Sequence, residues 1–167
     1  MSTKDKLEEA FSGESQANRK YLAFAQKAED DGFDQVAYLF RAIAEAETIH
    51  AHNHLRALGK VGSTEENLQA AIDGEDYEWQ DMYPEMLEVA KKEDETQAKT
   101  SFRFALEAEQ IHSSLYSEAL QAVEAGEDLP DKDVYLCKVC GHTVTEKPPE
   151  TCPICGSKKE KYFKVER

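Results

Sequence analysis

Long apolar runs are missing from this chain. No stretch of roughly 18 consecutive apolar residues occurs in it, so no membrane-spanning helix is expected. The opening MSTKDKLEEAF has no apolar core of the kind a secretory leader needs, and the expected location is the cytoplasm. Positive charge is scarce: 20 Lys and Arg stand against 34 Asp and Glu, a net charge of −14. That balance argues against nucleic acid or an anionic membrane as a partner and favours solubility, or a docking face for a basic protein. Cysteine is absent until Cys137, and all four lie between Cys137 and Cys155 as two C-x-x-C pairs. Without a secretion signal, this spacing reads as metal ligation and not as disulfides.

What the chain has in quantity is helix-forming sequence, rich in Ala, Glu, Leu, Gln and Lys, from about residue 3 to 126. Breaks at Asp30-Asp31-Gly32, Gly59 to Ser63, Glu93-Asp94 and Gly126 predict four long helices, over roughly 3–30, 34–58, 64–92 and 95–125. Ser63-Thr64-Glu65-Glu66 has the form of a capping box at the third helix's start. Pro84, which cannot donate a ladder hydrogen bond, is expected to bend that helix.

A single stretch of this helical region occurs twice. Phe40-Arg41-Ala42-Ile43-Ala44-Glu45-Ala46-Glu47-Thr48-Ile49-His50 returns 62 positions later as Phe102-Arg103-Phe104-Ala105-Leu106-Glu107-Ala108-Glu109-Gln110-Ile111-His112, identical at seven of eleven positions. Both copies end in Glu-x-x-His, which puts a carboxylate and an imidazole on one helix face. The first and third helices echo each other too: Leu7, Ala10, Phe11, Gly13 and Glu14 align with Leu68, Ala71, Ile72, Gly74 and Glu75 at an offset of 61. The helices therefore read as a duplicated two-helix hairpin, each copy carrying Glu, then Glu-x-x-His.

The helical stripes are apolar at their ends and acidic in between. The second collects Val36, Phe40, Ile43, Glu47, His50, His54 and Ala57; the third ends in Trp79, Met82, Met86 and Val89. Unpaired carboxylates in a core cost several kcal/mol each, and no Lys or Arg lies on these stripes to neutralise them. A metal pair meets the need: Glu14 and Glu75, with Glu47-x-x-His50 and Glu109-x-x-His112, form the ligand set of a four-helix di-metal carboxylate site. Oxygen and imidazole ligands without thiolate suit iron or manganese. Glu78 breaks the repeat, since its counterpart is Ala17, and adds a seventh candidate ligand one turn after Glu75. His52, His54 and His142 are not expected to be ligands.

After Gly126 helical periodicity stops. Residues 133–167 contain Cys137-Lys138-Val139-Cys140-Gly141 and Cys152-Pro153-Ile154-Cys155-Gly156, two knuckles able to hold one ion tetrahedrally. A zinc ribbon and a one-iron electron-transfer site share that geometry. A module of about 35 residues needs its metal to fold, with Tyr135, Tyr162 and Phe163 expected as its small core. The expected organisation is thus a four-helix bundle over 1–128 and a four-cysteine β module over 133–167.

Several segments together resemble the rubrerythrin family: Phe11-Ser12-Gly13-Glu14-Ser15-Gln16-Ala17, Glu47-x-x-His50, Gly74-Glu75-Asp76-Tyr77-Glu78-Trp79, Asp81-Met82-Tyr83-Pro84, Glu109-x-x-His112 and the C-terminal knuckles. The resemblance covers nearly the whole chain. It implies a ferritin-like bundle followed by a rubredoxin-like domain, with a non-haem diiron centre and a mononuclear iron on Cys137, Cys140, Cys152 and Cys155, or zinc there in some preparations. It implies a first iron on Glu14 and Glu47 with His50 or Glu78 as the exchangeable ligand, and a second on Glu75 and His112. Glu47 and Glu109 would bridge, and Tyr21 and Tyr83 would hydrogen-bond ligand carboxylates. The implied reaction is reduction of hydrogen peroxide to water, with electrons passing through the four-cysteine iron from a rubredoxin or an NAD(P)H-linked reductase. A ferritin-like ferroxidase handling iron is the alternative; a tethered electron donor speaks against storage. A helical interaction protein with a zinc ribbon is a third. A homo-oligomer, at least a dimer, is expected. The module attaches at the end of the bundle, away from the central metals, and so is expected to serve a neighbouring subunit's site.

Overall fold

A computed structural model describes residues 2–167. The chain divides into two compact units, one ending at Gly62 and the other running from Ser63 to Arg167. The first is a helical hairpin of α1 (Thr3–Asp30) and α2 (Asp34–Ala57). Ser2 caps α1 through a reciprocal capping box with Asp5. Gly32, at φ +81°, makes the turn to α2, a conformation that glycine adopts without a Cβ penalty. The helices meet along a seam of buried Ala25, Ala28, Ala37, Ala44 and Ala51. Buried Asn18 crosses that seam, donating to the Ala44 carbonyl at 2.7 Å and to Thr48 Oγ1 at 2.8 Å.

The second unit begins with α3 (Thr64–Tyr77), started by the capping box that Ser63 and Glu66 form, as its sequence predicts. The bend expected at Pro84 takes another form. Residues Glu78–Met82 make a π-helical turn, after which α4 (Tyr83–Lys92) carries Pro84 in its first turn. Proline supplies no N–H and crowds the carbonyl four residues back, and the wider turn ahead of it absorbs both effects. Trp79 Nε1 donates to Asp76 Oδ1 at 2.9 Å, and Ser113 Oγ donates to the same oxygen at 2.6 Å, so this segment is fastened to α5 (Thr96–Glu124).

The remaining chain forms β1 (Val134–Cys137), β2 (Thr143–Thr145) and β3 (Tyr162–Lys164), an antiparallel sheet in the order β2-β1-β3. Its interior is shared with α5. Ala108, Cys137, Cys140, Cys152 and Ile154 form one buried cluster, with Phe104, Ile111, Cys155 and Tyr162 packed against it. Of the three aromatics expected as the module's core, Tyr162 joins this cluster, whereas Phe163 is exposed beneath the Lys138 ammonium. The helix supplies the apolar surface that so short a module lacks. Among the described residues no helix is long and apolar enough to cross a membrane.

Candidate metal centres

The four cysteines converge at the ends of two tight turns. Gly141 N–H donates to the Cys137 carbonyl and Gly156 N–H to the Cys152 carbonyl, each at 3.0 Å. Both glycines have positive φ, +80° and +73°, which a residue with a Cβ rarely adopts. The Cys137–Cys155 and Cys140–Cys152 sulfurs lie 3.8 and 3.5 Å apart. Four sulfurs at about 2.3 Å from one ion, arranged tetrahedrally, are separated by about 3.8 Å, so the set fits a tetrathiolate metal. The thiols are unequal. Burial opposes charge at Cys152, but the backbone N–H groups of Cys155 and Ile154 and the Tyr162 hydroxyl hold it down to about 6, whereas burial pushes Cys140 well up. Buried His142 stands beside this set and shares a 2.6 Å hydrogen bond between its Nδ1 and the Tyr162 hydroxyl.

Two further groups of donors each arise within one hairpin: Glu14, Glu47 and His50 in the first unit, and Glu75, Glu109 and His112 in the second. In each, the donor atoms lie within 4.8 Å of one another. One helical turn brings the Glu-x-x-His pair together: His50 Nδ1 is 2.9 Å from Glu47 Oε2, and His112 Nδ1 is 2.6 Å from Glu109 Oε2. The neighbouring helix adds the third donor, Glu14 at 4.0 Å from His50 Nδ1 and Glu75 at 3.7 Å from His112 Nδ1. Two carboxylates and an imidazole nitrogen around one point match the chemistry of half a diiron-type site.

The two groups differ in their surroundings. The His50 side chain is 53% exposed, and its Nε2 has no hydrogen-bond partner among the described residues. His112 is 23% exposed, and its Nε2 lies 2.9 Å from Thr143 Oγ1 and 3.2 Å from the Gly141 carbonyl. A carbonyl accepts only, so it selects the tautomer with the proton on Nε2, leaving the Nδ1 lone pair for a metal. Burial, with Glu109 alongside, raises the Glu75 carboxyl to about 7. The neighbouring Glu109 carboxylate raises His112. Burial opposes charge at Glu109 itself, but its contacts with His112 and Glu75 hold it low. Proton and charge are thus shared among three groups that a cation would relieve.

Glu78, at the start of the π turn, belongs to neither three-donor group. Burial and the charge of Glu109 raise its carboxyl, which locates it at the edge of the second. Tyr83 faces the same carboxylates: burial, then Glu78, Glu109 and Glu75, raises its phenol. Tyr21 packs between Phe24 and Phe40, at ring-centroid distances of 6.3 and 6.2 Å. His52 is exposed and His54 half-buried, and neither joins a donor group.

One expectation is overturned. The four-cysteine module does not stay at the far end of its helix. The segment between Glu124 and Val134 lets it fold back along α5, so that Gly141 touches His112 of the same chain. Arg103 reinforces the contact by donating to the Ile154 carbonyl at 3.2 Å and to Glu107 at 2.8 Å. Distance from the attachment point is a poor guide because a buried apolar cluster, not the linker, decides where the module rests. A cavity of about 590 Å³ beside this contact is lined by residues that include Phe104, Glu109, His112 and Cys140.

Comparison with known proteins identifies the family. The rubrerythrin family model matches residues 5–120, and the model of the rubrerythrin rubredoxin-like domain matches 135–163. Rubrerythrin-2 of Clostridium acetobutylicum is 41% identical, over 96% of this chain and 95% of its own. Rubrerythrin of Porphyromonas gingivalis is 36% identical, over 88% and 82%. A structure of nigerythrin in a partially reduced state matches 99% of this chain and 87% of its own, at 32% identity and a TM-score of 0.59. With a ferritin-like set of helices, Glu and His groups of the diiron type and a rubredoxin-like four-cysteine site, the chain belongs to the rubrerythrin family.

Proposed function

We propose that the protein is a non-haem diiron peroxidase that protects against oxidative stress by reducing hydrogen peroxide. The overall change is H2O2 plus two electrons and two protons to two waters, and an iron pair supplies the two electrons. Its ligands are Glu14, Glu47, His50, Glu75, Glu109 and His112, with Glu78 as an alternative ligand in place of His50. Cys137, Cys140, Cys152 and Cys155 hold a single iron, refilled by a rubredoxin or an NAD(P)H-dependent reductase. Thiolates that must stay reduced suit the cytoplasm. The organisation behind this reading is a diiron helical domain over 1–128 and a four-cysteine domain over 133–167.

One observation carries the reading above all: the Gly141 carbonyl, next to ligand-bearing Cys140, accepts from His112 of the second carboxylate group. A zinc ribbon of purely structural purpose has no need of such a contact, and an iron-storage subunit has no need of the module. The chain's own groups serve three tasks. The Thr143 and Gly141 oxygens hold the His112 proton on Nε2, away from the metal side. Burial raises Glu75 to about 7 and raises Glu78 as well, so Glu75 carries a proton near neutrality until a metal displaces it. Tyr83 borders the carboxylates and offers a further hydroxyl. His50, without a tether on Nε2, is the imidazole able to leave; His112 is fixed.

The test is anaerobic reduction followed by one equivalent of peroxide, watched in the visible spectrum. Fast reoxidation by peroxide with much slower reoxidation by dioxygen is the expected result. Equal or faster reaction with dioxygen would favour the ferroxidase reading, and a protein holding zinc but no iron would end both.

A further inference from the structure

Two polar side chains beside the four cysteines have no part in the chemistry described so far. His142 is 7% exposed, and its Nδ1 lies 2.6 Å from the Tyr162 hydroxyl. The two rings meet edge to face, with centroids 5.7 Å apart. Both residues are held by β1. The Cys137 N–H donates to the His142 carbonyl at 2.9 Å, and Tyr162 stands opposite Cys137 across the β1–β3 ladder. The Tyr162 ring packs against the cysteine cluster, whereas Phe163, the next residue of the strand, is exposed.

Packing alone asks for no more than a phenylalanine at position 162. A hydroxyl in that place is costly to bury unless it is hydrogen-bonded. It has two partners, the His142 nitrogen and the Cys152 sulfur. A phenol has one proton to give and keeps it at neutral pH. A metal-bound thiolate only accepts, while an imidazole nitrogen donates or accepts according to its tautomer. Both contacts are satisfied in one arrangement: Nδ1–H donates to the phenol oxygen, and the phenol O–H donates to sulfur. His142 is then the tautomer opposite to His112, whose proton the Gly141 carbonyl holds on Nε2.

We propose that His142 and Tyr162 are positioning residues, a two-step hydrogen-bond relay ending on Cys152 Sγ that raises the reduction potential of the iron on the four cysteines. This rests on the reading of the module as an iron site and adds what sets that iron's potential. An added electron increases the negative charge that the sulfurs share. A donor aimed at a sulfur therefore stabilises the reduced form more than the oxidised one. The backbone N–H groups of Cys155 and Ile154 also face Cys152, but they belong to the turn that holds the metal. The Tyr162 proton comes from a side chain, so it can be removed while that turn stays in place. His142 strengthens it: a donor on the phenol oxygen polarises the O–H bond, and successive hydrogen bonds reinforce one another. A raised potential favours loading of the module by an external electron donor.

Optical redox titration of the four-cysteine iron in the full-length protein tests this. Tyr162→Phe keeps the ring and removes the proton; it should favour the oxidised iron about tenfold, a fall of about 59 mV. His142→Leu takes the donor from the phenol oxygen and should favour the oxidised iron about threefold, or about 28 mV. The double variant should fall no further than Tyr162→Phe alone, because the imidazole acts through the hydroxyl. An unchanged potential in Tyr162→Phe overturns the proposal. So does a rise in His142→Leu, which would mean that the hydroxyl had been giving its proton to the imidazole and turned to sulfur once freed. A second measurement needs neither a variant nor iron. With zinc on the four cysteines, NMR should find His142 protonated on Nδ1 and the Tyr162 hydroxyl proton close to the Cys152 methylene. An Nδ1 without a proton overturns the relay. A module that takes up no iron would end the electron-transfer reading and the claim on potential with it, whereas the zinc spectra would still decide the hydrogen bonds.

Discussion

The two hairpins are copies of one sequence pattern placed in unlike settings. Each has a Glu on its first helix, Glu-x-x-His on its second and a polar clamp across the seam. In the first, Asn18 bonds Ala44 and Thr48. In the second, Asp76 receives Trp79 and Ser113. Even the repeated arginines diverge: Arg41 pairs with Glu29, whereas Arg103 reaches the module through Ile154. The second copy alone has Glu78, the π turn and the four-cysteine module against its histidine. Duplication thus accounts for the ligands, and the additions to one copy account for the asymmetry between them.

The comparison can be broken most severely at the module. Replacing Cys137 or Cys152 with Ser should unfold the β module and cut reductase-coupled peroxide turnover by about 100-fold or more, since so small a unit depends on its metal. Stopped-flow reoxidation of chemically reduced protein should be far less affected. Retention of coupled turnover would show that electrons enter elsewhere.

Next come the paired histidines. His112→Ala should weaken iron binding at the second group by about 100-fold, and His50→Ala by about tenfold, on the proposal that Glu78 stands in for His50. Iron titration with a chromogenic chelator reads this directly. Equal losses would remove the asymmetry proposed for the two groups. A smaller change of the same kind is Thr143→Val, which takes one acceptor from His112 Nε2 while the Gly141 carbonyl remains. About a tenfold loss of affinity is expected, confined to the second group.

The pH dependence has a definite sign. The Glu75 carboxyl is raised to about 7, so near neutrality metal must displace its proton. Binding at the second group should weaken by about tenfold per pH unit or more as pH falls below about 7, because the raised His112 must also give up a proton, with between one and two protons released per metal bound. For the metal-free fold the same shift favours the protonated form, so its contribution to stability is present at low pH and is lost as pH rises through about 7. Calorimetry in buffers of different ionisation enthalpy counts the protons. The smallest effect expected is at the clamp: Ser113→Ala should lower the midpoint of thermal or denaturant unfolding slightly, since it removes one hydrogen bond to the Asp76 carboxylate.

Much of this is legible in the order of the residues. Gly32, Ser63 and the acidic stripes mark the helices within a residue or two, and the repeat brings together the donors that the hairpins gather. Three features are not. The π turn leaves no mark in composition, because it is a shift in backbone hydrogen bonding that Pro84 only hints at. The hairpin seam is made of alanines, while the larger stripe residues Val36, Ile43, Met86, Val89 and Tyr116 are exposed; periodicity finds a face but not what covers it. The docking of the module on α5 joins residues about thirty apart or more, such as His112 and Gly141, and no local pattern encodes that contact.

The hydrogen bond between His112 and the Gly141 carbonyl carries one more consequence. Thermodynamic coupling is reciprocal: whatever one site does to the energy of another is returned in equal measure. Were iron held at both ends of this bond, an electron gained on the sulfur side that loosened or tightened the imidazole would be answered by an equal effect of the carboxylate side on the potential of the sulfur-bound iron. On the electron path proposed above, the module would then act as a gauge as well as a conduit, its colour and potential registering the oxidation state of the carboxylate site.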